Sequence, residues 1–336
     1  MSSPAPDSPP GAPPRVAAIV VNYDGAEITR DAVASLRRLD YPAFDLLVLD
    51  NGSRDGSSSR LAAEFPDLAQ LRLRENHGSS SGYAAALRWA FARGYDYVLL
   101  LNNDIEVEPG MLSELVRAAE ADPRAGAVGP KCYFHGERRR LWSAGGRLRW
   151  REAVTRERGY GEIDHGQFDA PARVDYVNGC AILIRRAAAE AVGSWDPLFF
   201  ICVDDADFCT RLARAGWHSL YAPAAVLYHR VAWTTGGFTP GRNFQLGRSS
   251  ALYVRRYGGA LEKARFFLFV GLALVAGYLR ELPRGNQAAA VAKVKGVLAG
   301  WREPLPPPPP LTGPPAELEE LRPEVTGRSA AVTPSE

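Results

Sequence analysis

The sequence predicts an α/β protein built on a doubly wound, mostly parallel sheet, on three observations. Short runs of small and β-branched residues alternate with helical patterns between residues 16 and 101. That alternation implies parallel strands joined by right-handed crossovers. Residues 97–101 are apolar throughout, as a strand buried on both faces is. Three of the first four strands also end in polar clusters, at the carboxyl edge where open α/β sheets bind their ligands.

The first strand covers residues 16–21, and a helix over 26–38 puts Ile28, Ala32, Val33 and Leu36 on one face. A strand over 45–49, a short helix over 58–64, a strand over 70–74, a helix over 82–92 and a strand over 97–101 follow. Beyond Pro109, a helix over 111–121 leads to a strand over 125–133. Residues 136–172 are irregular, rich in Gly and Arg, and read as hairpins and loops. Residues 174–184 read as a buried strand pair interrupted at Asn178-Gly179. A helix over 204–215 is ended by Gly216. Short strands over 217–221 and 225–228 then close the compact region, the second running into His229.

The 336 residues allow one large domain or two modest ones, and 46% apolar with 23% charged residues supply ample core. A net charge of +2 offers no global argument for a nucleic-acid partner. Cys132, Cys180, Cys202 and Cys209 are scattered without a C-x-x-C pair and read as buried thiols in a reducing compartment. Residues 1–14 are Pro-rich and lack a basic n-region and an apolar h-region, so a disordered leader and a cytoplasmic protein are expected. A globular domain is expected over 15–240, a helical segment over 241–302 and a disordered Pro-rich tail over 303–336. Residues 266–279 are apolar but shorter than the roughly 18–20 residues a spanning helix needs. Flanked by Arg255, Arg256, Lys263, Arg265, Arg280 and Arg284, they read as a helix lying at an anionic membrane surface. The alternative is a helix packed on the domain.

Asn22-Tyr23-Asp24-Gly25, Asp50-Asn51-Gly52-Ser53 and Asn102-Asn103-Asp104 should converge on one crevice, because parallel strand ends share an edge. There Asp50 can accept hydrogen bonds from a base or ribose, and Tyr23 can stack on a ring; Asp50 suits a turn equally well. Asp104 is placed either to start a turn or to hold Mg²⁺ or Mn²⁺ against a phosphate. Neither a G-x-G-x-x-G after the first strand nor a P-loop occurs. A nucleotide bound here therefore needs a cation for its phosphates, and a dinucleotide oxidoreductase is excluded. Asp204-Asp205-Ala206-Asp207 exceeds what capping a helix requires, and mutual repulsion would tune one carboxylate toward a general base. His229 alone reads as structural, and His77 and His165 carry no separable signal. Arg138-Arg139-Arg140 with Arg147, Arg149 and Arg151, around Trp142 and Trp150, reads as a phosphate contact or as an exposed hairpin.

In this order the motifs resemble family 2 inverting glycosyltransferases of the GT-A fold, particularly their bacterial rhamnosyltransferase-like branch. The matching text covers residues 15–235 and includes Val20-Val21-Asn22-Tyr23, Leu49-Asp50-Asn51-Gly52-Ser53 and Leu100-Leu101-Asn102-Asn103-Asp104. It continues through Gly179-Cys180-Ala181-Ile182, Asp204-Asp205-Ala206-Asp207-Phe208, Gly216-Trp217 and Tyr228-His229. The resemblance implies that Asp104 is a metal ligand in a variant D-x-D motif and that His229 joins it. It also implies that the second residue of the Asp204-Asp205 pair is the base. Asp204 stands where the family more often has Glu, which leaves the choice between the two open.

Donor contacts are expected from Asn22, Tyr23, Asp50, Asn51, Ser53, Gly82, Tyr83, Asn102 and Asn103, and sugar or acceptor contacts from Gly179 and Trp142. The serines in Asn76-His77-Gly78-Ser79-Ser80-Ser81-Gly82-Tyr83 depart from the family pattern. The expected reaction moves a sugar, in this branch a rhamnose-like one, from a nucleotide-diphosphate donor to a hydroxyl of a cell-surface or lipid-linked glycan. The alternatives are a sugar nucleotidyltransferase and a catalytically silent glycan-binding protein.

Overall fold

A computed structural model describes residues 12–230, 239–312 and 318–320. Most of the expected leader and much of the expected tail lie outside the described residues. The first half follows the predicted alternation: β1 (Val16–Asn22), α1 (Ala26–Leu36), β2 (Phe44–Asn51), α2 (Ser57–Glu64), β3 (Ala69–Leu73), α3 (Ser79–Ala92) and β4 (Tyr97–Asn102). These four strands are parallel, and every residue of β1 is buried, as the central strand of a two-sided sheet must be. Asn22 pairs with Asp50, and Val21 with Asn102, so register alone brings the three polar clusters together on one edge.

The second half comprises β5 (Ile105–Val107), α4 (Met111–Ala121), β6 (Ala125–Phe134), β7 (Glu137–Ser143), β8 (Gly146–Leu148), β9 (Thr155–Glu157), β10 (Ala172–Val174), β11 (Ala181–Arg185), α5 (Arg186–Val192), α6 (Asp204–Arg214) and β12 (His218–His229). The main sheet runs β10-β12-β6-β11-β4-β1-β2-β3. β11 lies antiparallel between β4 and β6, while β12 runs parallel to β6. Residues 174–184 are therefore not a strand pair: β10 joins β12 and β11 sits strands away, because apolar patterning reports burial and not partner. The two short strands expected after Gly216 are one strand, β12, whose register shifts between Ala222 and Val226 around Pro223. The basic stretch is largely neutralised. Arg138 pairs with Glu106, and Arg140 with Glu137.

The C-terminal helices are α7 (Pro240–Tyr257), α8 (Ala260–Glu281) and α9 (Gln287–Arg302). Ala251, Leu252, Tyr253 and Val254 of α7 are buried in the same core as β1, α3 and α6. Helices α7 and α9 cross backbone to backbone. A Cβ on Gly247 would lie 2.0 Å from the Lys293 carbonyl oxygen, and one on Gly296 would lie 2.0 Å from that of Phe244. Helix α8 is longer than its apolar centre suggested. With the turn that follows, residues 260–284 are long and apolar enough to cross a bilayer by length and composition, and only 17% of the apolar window is buried.

Part of the expected disordered tail is ordered against the domain. Ser194 N–H donates to the Pro309 carbonyl (3.0 Å), Arg256 to that of Pro306 (3.0 Å), and β13 (Leu318–Glu320) pairs antiparallel with β3. Proline carbonyls keep their acceptor strength, so a Pro-rich segment can still be held by donors elsewhere.

Candidate active site

Side chains from the ends of β1 and β2 build one network at the carboxyl edge. Asn22 Nδ2 donates to Asp50 Oδ1 (2.9 Å) and Ser53 Oγ (3.2 Å), and Asp50 Oδ2 accepts from the Ser53 N–H (3.1 Å). Asn22 Oδ1 accepts from Thr29 Oγ1 (2.8 Å) and Asn103 Nδ2 (3.3 Å), which ties the first and third clusters. Asn51 Nδ2 reaches the Gly78 carbonyl (3.0 Å), while its Oδ1 is buried without a hydrogen-bond partner. Buried acceptors of that kind are uncommon and mark places where a ligand can supply the donor. Tyr23 is half-buried beside this network. Gly82 lets α3 close on it, since a Cβ would meet Val21 at 3.1 Å and Asn51 at 3.4 Å.

The three carboxylates of α6 part company. Asp207 is fully buried and accepts from Arg211 (2.9 Å), Arg256 (2.8 Å) and Tyr257 (2.7 Å), so it holds α6 to α7. Asp204 Oδ2 accepts from Ser80 Oγ (3.0 Å) and Trp195 Nε1 (2.9 Å), which anchors the helix on α3. Asp205 alone keeps a partly open face. Its Oδ2 accepts from the Gly179 N–H (3.0 Å) and its Oδ1 from the Ala206 N–H (2.8 Å). Loss of hydration within the protein, with the charges of Asp204 and Glu157 added, pushes the Asp205 carboxyl well above the usual range.

The chain enters α6 through Phe200, Cys202 and Val203, all at positive φ. Three such non-glycine residues store strain of the sort that collects at functional sites. Helix α7 supports this loop: Ser249 Oγ donates to the carbonyls of Phe199 (2.9 Å) and Ile201 (3.0 Å).

Tyr83 joins the two sides. Its hydroxyl is within hydrogen-bonding reach of Asn102 Oδ1 and of the Gly179 carbonyl (3.0 Å). Burial first, then the charge of Asp204, raises its pKa well above normal, with Asp104 and Asp205 adding to it, so the phenol stays a donor. Gly179 is not demanded by packing, since a Cβ would touch only Asp205 and Tyr83 at 3.7–3.8 Å. Its bare backbone faces the space between them.

Asp104 and His229 meet across the β5–β12 pairing, Nε2 to Oδ1 at 3.0 Å and both side chains buried. His229 Nδ1 has no hydrogen-bond partner. One carboxylate faced by the Nε2 of one imidazole is a donor pair that fits a hard divalent ion keeping phosphate and water in its remaining positions, the ion taking the place of the hydrogen bond between them. Among the described residues no cluster of three His, Cys, Asp or Glu surrounds a common point. Trp142, expected to touch sugar, is 9% exposed and packs edge-on against His229 at 4.3 Å between centroids. It steadies the imidazole, because a ring used in that contact has little face left for a ligand. Sequence reasoning missed Glu157, Thr29, Ser80 and Trp195. No motif spacing marks any of them, and their bonding partners lie anywhere from 7 to 124 residues away.

A sheet of this order with its polar clusters on one edge is the architecture of GT-A glycosyltransferases, and solved structures share it. A mannosyltransferase from Pyrobaculum calidifontis, in complex with GDP-Man and Mn²⁺, superposes with a TM-score of 0.53 at 19% identity, covering 89% of this chain and 90% of its own. GalNAc-T7 with UDP, GalNAc and Mn²⁺ superposes with a TM-score of 0.56 at 13% identity, over 72% of this chain and 48% of its own. The chain belongs to the glycosyltransferase like family 2, whose model matches residues 13–254, and it is a glycosyltransferase. It is 28% identical over 248 residues to the N-acetylglucosaminyl-diphospho-decaprenol L-rhamnosyltransferase of Mycobacterium tuberculosis, covering 65% of this chain and 76% of the relative. It is 24% identical over 252 residues to the poly-beta-1,6-N-acetyl-D-glucosamine synthase of Staphylococcus aureus, covering 74% of this chain and 58% of that enzyme.

Proposed function

We propose that the protein transfers a rhamnose-like sugar, with inversion, from a nucleoside-diphosphate donor to a hydroxyl of a lipid-linked or cell-surface glycan. The observation that carries this reading is the isolation of Asp205. Of three neighbouring carboxylates it alone is left partly open, and two backbone N–H groups hold it. Burial raises its pKa well above the usual carboxylate range, as it also raises that of Asp204. In this reading Asp205 takes the acceptor proton as the acceptor oxygen attacks the anomeric carbon from the face opposite the leaving diphosphate. Tyr83 and the Gly179 backbone line the space between the two. Asn22, Asp50, Asn51, Ser53, Asn102 and Asn103 hold the nucleotide, with Tyr23 at their margin. Asp104 and His229 would hold Mg²⁺ or Mn²⁺, which neutralises charge on a departing diphosphate. The rhamnose-like sugar and lipid-linked acceptor rest on the mycobacterial relative.

Helix α8 belongs to the same reading as a membrane contact on the cytoplasmic face. Leu261, Leu268, Leu272, Val275, Leu279 and Leu282 recur at helical spacing and are all exposed, two of them, Leu268 and Val275, at 61% and 60%. An apolar stripe of that length fits lipid, where an isoprenoid-linked acceptor resides.

The test is a panel of nucleoside-diphosphate sugars incubated with the protein in Mn²⁺. Hydrolysis of one member, abolished by chelator, is the expected outcome. Pyrophosphate exchange with a nucleoside triphosphate would instead identify a nucleotidyltransferase, and binding without turnover a glycan-binding protein.

A further inference from the structure

Glu157 ends β9, in the β8–β9 hairpin, and carried no signal of its own in the sequence. The hairpin reaches the active-site edge because Tyr176 lies over Gly146, where a Cβ would meet its ring at 2.1 Å. The Tyr176 hydroxyl then donates to Glu157 Oε1 (2.7 Å), as does Asn178 Nδ2 (2.9 Å), and Ser143 Oγ donates to Oε2. Asn178 turns its other atom, Oδ1, to the Cys180 N–H (2.9 Å). The amide is thus clamped at both ends across residue 179. Between those clamps the Gly179 N–H donates to Asp205, and the Gly179 carbonyl meets Tyr83. The half-buried Glu157 carboxylate thus accepts from three side chains on the strands around it, and its charge acts on Asp205.

We propose that Glu157 is a positioning residue for the base. It fixes the Asn178–Gly179 turn that holds Asp205 and sets a second negative charge beside it. This rests on the reading of Asp205 as base, but its effect on Asp205 can be measured without substrate. Removing a like charge favours ionisation of the carboxylate that remains. Asp205 should therefore titrate at lower pH when Glu157 is neutral. The titratable groups facing the pair are Asp204 on α6, Tyr83 on α3, Tyr176, His229 on β12, and the thiols of Cys180, Cys202 and Cys209. None of them is replaced by the substitution, and of these Tyr176 and Cys180 also feel the Glu157 charge.

The experiment is a pH titration of the full chain labelled with ¹³C at the aspartate carboxyl, with the Asp205 signal assigned by its absence in Asp205→Asn. In Glu157→Gln the midpoint should fall by about one pH unit or more, with thermal stability near that of the wild type. Glu157→Asp keeps the charge one methylene further back and should move the midpoint by less. It also serves if the Gln variant does not fold. An Asp205 midpoint unchanged in the folded variant overturns the proposal, because a purely structural Glu157 would leave it in place. Failure of the base assignment is separate: Asp205→Asn would then retain transfer whatever Glu157 does.

Discussion

On the β1–β4 side of the sheet, functional residues arrive at the crevice straight from strand ends. Asn22, Asp50 and Asn102 are brought level by parallel register, and the Asn22 side chain bonds to Asp50 on one side and to Asn103 on the other. On the β6–β12 side nothing arrives that way. Asp205 comes from a helix entered through left-handed residues, Glu157 from a hairpin, Gly179 from the crossing between β10 and β11, and His229 from the end of a bulged strand. The first side is a preformed cradle whose geometry the backbone dictates. The second is assembled from separate pieces, which makes it the natural place for base strength and acceptor choice to be adjusted.

Substitutions that separate the two sides test this contrast. The largest effect is expected for Asp205→Asn. Transfer should fall by about 10²–10⁴-fold while calorimetry shows donor binding unchanged; equal loss of donor affinity would place Asp205 on the cradle side. Asp207→Ala should come next, costing about 3–5 kcal/mol in urea unfolding, because it leaves the buried Arg211 guanidinium without its carboxylate and removes one of the two that hold Arg256. A small loss would mean that α7 is not fastened to α6 as the ion pairs indicate. Asp104→Ala should weaken Mn²⁺-dependent donor binding by more than about tenfold with little change in thermal stability, and unaltered affinity removes it from the metal set.

A smaller effect concerns pH. The Asp205 carboxyl titrates above its unfolded value, so the unfolded state releases that proton first as pH rises. Its stability contribution is therefore complete below the ordinary carboxylate range, about pH 4, and is lost as pH climbs through the folded-state value. The stability of Asp205→Asn relative to wild type should increase with pH above about 4, and a flat difference would contradict the raised pKa. Last, Leu272→Asp on the exposed stripe of α8 should lower co-sedimentation with anionic vesicles by about tenfold, from the roughly 1.5–3 kcal/mol that one buried Leu supplies. Unchanged sedimentation would detach α8 from the membrane reading.

Both halves teach how far local pattern reaches. The β1–β4 region was legible because apolar runs ending in Asn and Asp specify strand, direction and edge within a few residues. Asp204, Asp205 and His229 were visible as residue types in order. What each does depended on contacts 9 to 125 residues away, such as Trp195 on Asp204 and Asp104 on His229. For the same reason the helical pattern beyond residue 240 did not reveal that Ala251 and Leu252 face a core shared with earlier segments.

By itself the sequence determined the alternation of strands and helices, the edge on which the polar clusters gather and the order of motifs that marks the family. Those are properties of short stretches, set by side-chain periodicity and by where apolar runs stop. The tertiary structure decided the antiparallel insertion of β11, the partly open setting that Asp205 has and Asp204 and Asp207 lack, and the arrival of Glu157 near it. Each depends on which distant donors and charges the fold brings together, and burial among those neighbours raises the pKa of a carboxylate that looks ordinary in the sequence.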